Sequence, residues 1–376
     1  MPSELIDSLN RQLLEQFENQ GTTSAATEER IPAARYTCPD RFELERQQIF
    51  RQTPQPIAFS AELPGPGSFL ALQVLDTPVL LTRDDAGVLH AFFNRCRHRG
   101  ARLADGAGSQ RRLVCPFHGW TYGLDGQLSG RPGDEFFTTP PEDCGLMTLP
   151  VSETQGIIVI ALDSAVHQTK VDEALDEIAT QLSTFELANC EPLGRQSLDV
   201  KANWKLVNDL SLESYHFAVL HRDSVAQLLT DNAIVETYDR SSRWAFPLKS
   251  IARLAQLPSA DWPEHIEGSV TYTVFPGVML IINASGAQMI RSEPGTTPGT
   301  SRVSYIGIAR AGTELSAAKQ AYEFGGSVFT GEDLPMAENC QQGLAASGGD
   351  LLLGRNEVLL QFWHRLWDEA ISPKPD

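Results

Sequence analysis

The chain of 376 residues is 41% hydrophobic and 21% charged, which is typical of a globular protein with a sizeable core and excludes a wholly disordered chain. Its 30 Lys and Arg residues stand against 48 Asp and Glu residues, and the net charge of −18 disfavours binding to nucleic acid or to an anionic membrane surface. No stretch approaches the roughly 20 apolar residues of a membrane span, and the first residues lack the pattern of a secretory signal, so we expect a soluble, cytoplasmic protein.

The first half of the chain is predicted to contain one helix and then short strands. Apolar residues recur at helical spacing over 3–19, and the polar stretch 20–30 follows as a loop or linker. Short β segments separated by turn residues such as Asp125-Gly126 fill residues 55–162. The predicted strands are 79–82, 88–94, 121–124, 127–128 and 156–162. Because no βαβ alternation is present, the sequence predicts a small antiparallel domain here.

The second half is predicted to be α+β, with helices set apart from antiparallel strands. The predicted helices are 171–187, 203–221, 333–346 and 355–371. The predicted strands are 269–282 and 302–310, and a loop rich in Pro, Gly and Thr lies at 294–300. The last helix has one apolar face that contains Trp363 and Trp367, so we expect that face to be buried.

Two short segments each supply one cysteine and one histidine. Cys96 and His98 form a C-x-H pair, and Cys115 and His118 form a C-x2-H pair further along the chain. Two cysteines and two histidines can hold one zinc ion, or a [2Fe–2S] cluster with two thiolates on one iron and two imidazoles on the other. Zinc fingers usually group their cysteines together and their histidines together. The mixed pairs therefore favour two iron atoms with different ligand sets.

A second group of candidate ligands lies in the predicted helix 203–221. His216 and His221 are five residues apart, so on an ideal helix their side chains diverge by about 140° and can share a metal only if the helix ends or bends between them. Glu213 lies three residues before His216, on the same face. The spacing alone is a weak signal of metal binding.

A carboxylate further along the chain is a candidate third ligand. Asp333 begins the predicted helix 333–346, and Pro335 follows just inside it, which is also typical of a helix N-cap. Glu332 is the rival carboxylate. Two imidazoles and one carboxylate would form the facial triad of non-haem Fe(II) sites.

These segments resemble the α (oxygenase) subunits of the Rieske non-haem iron ring-hydroxylating oxygenases. The runs CRHRGARL and CPFHGWTYGLDGQL resemble the Rieske domain, and NWK followed by Glu-x2-His-x4-His resembles the catalytic helix. The segment from Glu332 to Leu344 matches the family pattern Glu-Asp-x4-Glu-x2-Gln-x-Gly-Leu. The resemblance covers roughly residues 40–371, in three ordered motifs.

The resemblance implies two metal centres and a path between them. The ligands of the Rieske [2Fe–2S] cluster would be Cys96, His98, Cys115 and His118. The ligands of the mononuclear Fe(II), which activates O2, would be His216, His221 and Asp333. Glu213 would be the acidic residue that connects this iron to the cluster of a neighbouring subunit. The pair Asn208-Asp209 departs from the family's acidic-Asn pair, so the residues around the ligands are not simply transferable.

The resemblance also implies a fold and a domain order. The fold class is α+β, with a small antiparallel β Rieske [2Fe–2S] domain and a helix-grip (START/Bet v1-like) catalytic domain built on an antiparallel sheet. We expect the N-terminal helix and linker at 1–40, packing on the catalytic domain, the Rieske domain at 41–165 and the catalytic domain at 166–376. Candidates for the substrate pocket, each also plausible as core, are Phe217, Leu220, Tyr238, Trp244, Phe246, Tyr272, Phe275 and Met279.

The function implied is that of the oxygenase component of a multicomponent Rieske oxygenase acting on a small aromatic or methylated amine substrate. Electrons would come from NAD(P)H through a separate reductase or ferredoxin, because no Gly-rich dinucleotide motif is present. Hydroxylation or oxidative demethylation is favoured, because Glu at position 213 is common in single-subunit members of that kind. The family implies a homotrimer, in which the cluster of one chain serves the iron of the next.

Three alternatives stay open at this point. A cis-dihydroxylating aromatic ring dioxygenase would use the same centres. A Rieske electron-transfer protein with an inactive second domain would bind no mononuclear iron. A binding module held together by zinc would be redox-silent.

Overall fold

The computed structural model describes residues 4–372, and the chain folds into two compact units. The larger unit contains residues up to 49 and from 176 onwards, and the smaller unit contains residues 50–175. The domain bounds predicted from the sequence stay a prediction. No helix within the described range is long and apolar enough to cross a membrane.

The larger unit begins with an amphipathic helix, α1 (Glu4–Glu18), whose apolar side chains Ile6, Leu9 and Leu13 are buried. The helix was predicted from Ser3, which lies outside the described residues. Asn10 is fully buried on the same face, where its side chain donates to the carbonyl oxygen of His265 at 3.1 Å. The next elements are β1 (Glu29–Pro32), α2 (Ala34–Thr37) and α3 (Pro39–Leu44).

The smaller unit contains three antiparallel sheets and one short α-helix. Its sheet orders are β5-β4-β3-β6, β7-β8-β9 and β10-β11-β2, for the strands β2 (Gln55–Phe59), β3 (Ser68–Val74), β4 (Thr77–Arg83), β5 (Leu89–Phe93), β6 (Ala107–Ser109), β7 (Leu113–Val114), β8 (Thr121–Tyr122), β9 (Leu128–Gly130), β10 (Val151–Thr154) and β11 (Ile157–Ile160). The helix is α4 (Gln168–Asp172).

The predicted strands 79–82 and 88–94 form one antiparallel hairpin, and those predicted at 121–124 and 127–128 form another. In the β4–β5 turn the Oδ1 atom of Asp84 accepts the N–H groups of Ala86 and Val88, each at 2.9 Å, in addition to the backbone bonds of the turn. In the β8–β9 turn Gly126 has a φ of 82°, and a Cβ atom there would lie 2.4 Å from Phe92. Only glycine satisfies both conditions at that position.

A seven-stranded antiparallel sheet organises the larger unit, in the order β12-β18-β17-β16-β15-β14-β13. Its strands are β12 (Glu191–Val200), β13 (Ile234–Thr237), β14 (Ser241–Pro247), β15 (Gly268–Val274), β16 (Val278–Asn283), β17 (Gly286–Pro294) and β18 (Ser301–Ala309). The single strand predicted at 269–282 is therefore wrong. It is a hairpin, because Pro276 and Gly277 turn the chain between β15 and β16.

Helices cover this sheet and carry its largest core side chains. They are α5 (Asp176–Leu182), α6 (Trp204–Asp209), α7 (Phe217–Leu220), α8 (Leu315–Val328), α9 (Leu334–Ala346) and α10 (Val358–Ile371), and a further strand, β19 (Asp350–Leu353), pairs with β1. On α10, the fully buried Trp363 and Trp367 donate their indole N–H groups to Ser242 Oγ and to the carbonyl oxygen of Pro276, at 3.0 and 2.7 Å. These bonds fix α10 to the strand and turn below it.

Two helix predictions were too long. The helix predicted at 171–187 is interrupted after α4 and resumes as α5, which ends at Leu182. Val171, Leu175, Ile178 and Leu182 are all buried, so the apolar spacing indicated a buried face but not a continuous helix. The helix predicted at 203–221 is divided into α6 and α7.

Candidate metal centres

The two Cys–His segments of the smaller unit form loops with the same backbone geometry. In each loop the glycine four residues after the cysteine donates its N–H to the cysteine carbonyl oxygen, Gly100 to Cys96 and Gly119 to Cys115, both at 3.0 Å. Both glycines have positive φ, 78° and 72°. Each cysteine N–H in turn donates to the carbonyl oxygen five residues further on, at 2.8 and 2.7 Å. A shared pattern, cysteine with glycine four residues later, therefore produces two matching loops.

The loops separate their four donors into a buried pair of thiols and an outer pair of imidazoles. Cys96 and Cys115 are each 2% exposed. Burial and the neighbouring Cys115 raise the pKa of the Cys96 thiol, against the hydrogen bond from Tyr122. The Nδ1 atoms of His98 and His118 lie 3.1 Å apart on the exposed side. The two ligand types thus occupy opposite ends of one site.

This separation fits a two-iron cluster and not a single zinc ion. Zinc needs four donors around one point. Among residues 4–372, the one group of three or more such donors within 4.8 Å of one another lies in the larger unit. A Rieske [2Fe–2S] cluster instead takes two thiolates at one iron and two imidazoles at the other. The indole of Trp120 stacks on His98, at 5.1 Å and 5°, which holds that imidazole in place.

In the larger unit, a break in the predicted helix 203–221 brings two histidines together. His216 immediately precedes the single turn of α7, and His221 follows it with a φ of −98° and a ψ of 21°. The divergence expected on an ideal helix does not arise, because the chain leaves the helical conformation at His221. The Nε2 atoms of the two rings lie 3.2 Å apart.

A carboxylate contacts Nδ1 of each of these imidazoles, the ring nitrogen that does not face the other histidine. Glu213 contacts Nδ1 of His216 with one oxygen, and its other oxygen accepts the His216 backbone N–H at 3.1 Å. Glu332 Oε2 lies 2.7 Å from Nδ1 of His221 and accepts a hydrogen bond from Ser224 Oγ at 2.9 Å. Because a carboxylate fixes the proton on Nδ1, both Nε2 lone pairs face inward.

Asp333 completes a convergence of three electron-pair donors. Its Oδ1 atom lies 3.2 Å from Nε2 of His221 and 3.7 Å from Nε2 of His216. Burial opposes the protonation of His221, but Asp333 and Glu332 outweigh it and raise the pKa of that imidazole. The three donor atoms converge within 4.8 Å of one another, an arrangement that a bound cation would stabilise. The donor set fits the facial triad of a mononuclear Fe(II) site.

Asp333 does not act as the N-cap that its sequence position also suggested. Its φ of −68° and ψ of −55° are helical, and its side chain accepts no capping N–H. The chain instead runs from α8 through a π-helical turn, Phe329–Asp333, into α9. Such turns occur frequently at functional sites. Its rival Glu332 faces the opposite nitrogen of His221, so it orients this ring and does not join the convergence.

A buried polar network that was not predicted holds the end of α6. The ligand-bearing loop, residues 210–221, begins there and carries Glu213, His216 and His221. Tyr36 O–H donates to Asp209 Oδ2 at 2.7 Å, and His364 Nε2 lies 3.2 Å from Asp209 Oδ1. Burial and the adjacent Asp209 raise the pKa of Tyr36 well above its ordinary value. The departure at Asn208-Asp209 from the family pattern was the one sequence signal of this arrangement.

A largely apolar cavity of about 520 Å³ opens beside the triad. Phe217, Trp244 and Phe246 line it, as predicted, and the Phe217 ring lies 5.0 Å from His216 and 5.4 Å from Phe246. Neighbouring residues of a strand point to opposite faces, so Tyr272 on β15 faces away and its O–H donates to Gln181 at 3.0 Å. Within the described range, the other four candidates that do not line this cavity are Leu220, Tyr238, Phe275 and Met279.

Both halves of the chain match known domain families. Residues 187–372 match the model of the ring hydroxylating alpha subunit (catalytic domain), and residues 53–141 match the model of the Rieske [2Fe-2S] domain. Together these two matches cover most of the chain.

Curated relatives are oxygenase subunits. The chain is 34% identical over 202 residues to the glycine betaine monooxygenase oxygenase subunit of Chromohalobacter salexigens, which is 53% of this chain and 44% of that protein. It is 28% identical over 324 residues to the carnitine monooxygenase oxygenase subunit of Acinetobacter pittii, which is 85% and 86% of the two chains. The match therefore spans about half the length of the glycine betaine relatives.

A solved structure shares the fold. The quaternary ammonium Rieske monooxygenase CntA, in complex with L-carnitine, superposes with a TM-score of 0.76 at 22% identity, over 92% of this chain and 96% of that chain.

The predicted α+β fold, with its Rieske and helix-grip domains, is confirmed. The two matched domain types carry the predicted cofactors, a Rieske [2Fe–2S] cluster and a mononuclear iron that uses O2. The chain belongs to the Rieske non-haem iron ring-hydroxylating oxygenases, as an α (oxygenase) subunit.

Proposed function

We propose that this chain is the oxygenase component of a multicomponent Rieske oxygenase. It hydroxylates or oxidatively demethylates a small organic substrate with O2. The observation that carries the proposal is the convergence of His216, His221 and Asp333 within 4.8 Å at the wall of an apolar cavity. An open iron position beside a substrate-sized cavity is the arrangement that this reaction requires.

The chain's residues divide the work between two centres. Cys96, His98, Cys115 and His118 would hold the cluster, and His216, His221 and Asp333 would hold the iron. The bound iron supplies the positions for O2 reduction, and the cluster supplies a stored electron. Glu213 and Glu332 keep protons on the Nδ1 atoms, so that Nε2 of each histidine stays available as a ligand.

Glu213 has a further proposed role in electron transfer. One of its oxygens already contacts His216, and the side chain is only 9% exposed. We infer that a second imidazole N–H, from a cluster ligand of a neighbouring subunit, docks on this carboxylate. The resulting chain of hydrogen bonds would join the two centres over a short, fixed distance.

Hydroxylation or demethylation of a methylated amine is the favoured reaction. Several relatives are named as monooxygenases of glycine betaine, carnitine and choline. An anthranilate 1,2-dioxygenase large subunit of Acinetobacter baylyi is also 32% identical, so cis-dihydroxylation of an aromatic ring is the second candidate. The aromatic wall formed by Phe217, Trp244 and Phe246 suits a methylated ammonium group as well as an aromatic ring.

The assembly and the electron source complete the proposal. A homotrimer would bring the cluster of one chain to the iron of the next. A separate NAD(P)H-dependent reductase or ferredoxin would reduce the cluster. The cytoplasmic location stays a prediction.

Electron paramagnetic resonance (EPR) on the anaerobically reduced protein tests the proposal. Nitric oxide is added to iron-replete protein, with and without methylated amines and aromatic acids. We expect a signal from the reduced cluster and a separate Fe–NO signal from the mononuclear site. The variant His216→Ala should keep the cluster signal and lose both the Fe–NO signal and turnover.

A matched control variant is His167→Ala, since this histidine is exposed in the smaller unit and belongs to neither ligand set. It should retain both signals. A cluster signal without an Fe–NO signal in the unmodified protein would favour an electron-transfer protein. Normal turnover of His216→Ala would contradict the ligand assignment.

A further inference from the structure

One end of the cavity carries charged groups, in contrast to its apolar walls. Glu267, Ser269 and Thr271 alternate along β15 and the residue before it, and all three line the cavity. Arg253, on the helical segment 249–256, lines the same end and donates through Nη2 to Glu267 Oε2 at 2.5 Å. This ion pair is remote in sequence from every ligand motif.

Glu267 positions Arg253 and is not itself free to bind a ligand. Its side chain is only 4% exposed, and its second oxygen accepts the hydroxyl of Ser250 at 2.6 Å. Arg253, in contrast, has a side chain that is 57% exposed. Among the described residues its guanidinium bonds only to Glu267, so its other N–H groups remain available. A guanidinium held on one side and open on the other is suited to a carboxylate ligand.

His265 also lines this end of the cavity. Burial lowers the pKa of His265, and although Glu267 opposes the shift, Arg310 and Arg253 lower that pKa further. Two guanidinium groups and one carboxylate therefore act on the same imidazole.

The strand register places this charged end away from the aromatic wall. Ser269 pairs with Phe246, and Thr271 pairs with Trp244. At about 3.4 Å per residue, Glu267 lies roughly 7 Å from the Phe246 position and roughly 14 Å from the Trp244 position along the strand. The Phe217 ring, which contacts Phe246, also contacts His216. A ligand held at Arg253 can therefore extend past Phe246 towards the triad.

We propose that Arg253 binds a carboxylate of the substrate, so that the substrate class is a carboxylic acid whose opposite end, methylated ammonium or aromatic, lies between Phe217 and Phe246. This inference rests on the proposed function and deepens it. The inference predicts that acids, such as betaines and aromatic acids, bind more tightly than neutral or purely cationic compounds of the same size.

Anaerobic isothermal titration calorimetry on the full chain tests the inference, since no turnover is needed. The probes are two matched pairs: γ-butyrobetaine with its methyl ester, and 3-phenylpropionate with its amide. We expect at least one acid to bind about tenfold or more tightly than the ester or amide that lacks its carboxylate, because a charge-assisted hydrogen bond is lost there. The pair that shows the difference identifies the chemistry of the opposite end.

The variant Arg253→Gln should weaken binding of that acid by about 10- to 100-fold and change binding of its partner by less than about twofold. Arg253→Lys keeps the charge and should recover part of the affinity. Arg365→Gln is the matched control, because Arg365 is 53% exposed, pairs with Glu29 at 3.0 Å and does not line the cavity. Thermal melting of each variant verifies folding.

Three outcomes would overturn the inference. The first is that each acid binds no more tightly than its ester or amide. The second is that Arg253→Gln weakens binding of the acid and of its ester or amide equally. The third is that neither acid binds, and each of these would exclude a carboxylate anchor at Arg253. The proposed function would fail differently, through a missing Fe–NO signal. Since the titration measures binding alone, the two failures are distinguishable.

Discussion

Glu332 Oε2 lies 2.7 Å from Nδ1 of His221, on the side of the ring opposite the nitrogen that faces Asp333. Two consecutive carboxylates therefore approach one imidazole from its two nitrogens. The π-helical turn Phe329–Asp333 makes this possible, since it widens the helix where the two residues leave it. One carboxylate would bind the metal and the other would orient the ring.

Separate roles for these two carboxylates predict different losses of iron. Asp333→Ala should abolish binding of the mononuclear iron, because it removes a proposed ligand. Glu332→Gln should weaken iron binding by roughly 10- to 100-fold, the usual effect of removing the group that orients a ligand histidine. Iron content and the Fe–NO signal measure both effects. Glu323→Gln, an exposed ion-pair variant on α8, is the control. If Asp333→Ala retained the iron and Glu332→Gln lost it, Glu332 would be the ligand and Asp333 the group that orients the ring.

Glu213 provides a prediction on electron transfer. In iron-replete protein, Glu213→Gln should retain the cluster but slow substrate-dependent reoxidation of the reduced cluster by roughly 10- to 100-fold. The reason is that a neutral amide has one accepting oxygen, whereas the carboxylate has a charged oxygen for each imidazole. Stopped-flow absorbance of the cluster after mixing with O2 and substrate measures this rate. An unchanged rate in protein with full metal content would remove the proposed bridging role.

The metal centres could be predicted from the sequence because their motifs are short and local. A cysteine, a histidine and a glycine within five residues specify each Rieske loop, as the matching bonds of Gly100 and Gly119 illustrate. The convergence of His216 and His221 could not be derived from spacing, since it depends on where α7 ends. The role of Glu332 depends on a contact with a residue more than a hundred positions away.

Much of the larger unit could not be predicted, for physical reasons. All seven residues of β14 are buried, including Ser242 and Arg243, so the strand lacks the alternation of a half-exposed strand. Helix α8 contains Gly325-Gly326, which lowers its helix propensity. A Cβ atom at Gly326 would lie 3.0 Å from Tyr305. Tertiary packing, and not a local sequence pattern, therefore accounts for the buried strand β14 and for the two glycines in α8.

A buried ion pair in the larger unit determines a pH effect on stability. Lys205 and Glu45 are fully buried and in contact, and Arg41 also donates to Glu45 at 2.8 Å. Burial lowers the pKa of Lys205 from 10.5 to about 8, although Glu45 opposes the shift. The unfolded chain therefore binds more protons than the folded chain between these two values. The contribution of Lys205 to the free energy of unfolding should rise with pH through this window.

Comparison with Lys205→Met isolates this effect. Between pH 8 and 10.5, the free energy of unfolding of the unmodified protein should rise relative to the variant by up to about 3 kcal/mol, as the pKa difference implies. Arg41 keeps Glu45 paired in the variant, so the carboxylate is not left alone. Urea denaturation across this range measures the difference. Parallel curves for the two proteins would contradict a lowered pKa at Lys205.

The turn between β15 and β16 depends on a glycine. Gly277 has a φ of 143°, and a Cβ atom there would lie 2.4 Å from Nδ2 of Asn208, which is fully buried on α6. Gly277→Ala should therefore destabilise the protein by about 1–3 kcal/mol, because the strained backbone and the close contact add. Since α6 precedes the ligand-bearing loop, iron affinity should fall as well.

Gly343→Ala is the matched control for this glycine. Gly343 lies on the exposed face of α9, with no atom within 4 Å of the added Cβ, so alanine should stabilise the helix by up to about 1 kcal/mol. Thermal and urea unfolding measure the changes in stability of the two variants, which should have opposite signs. Iron content measures the effect at the triad. Equal stability of Gly277→Ala and the unmodified protein would show that Asn208 moves aside and that this turn does not constrain α6.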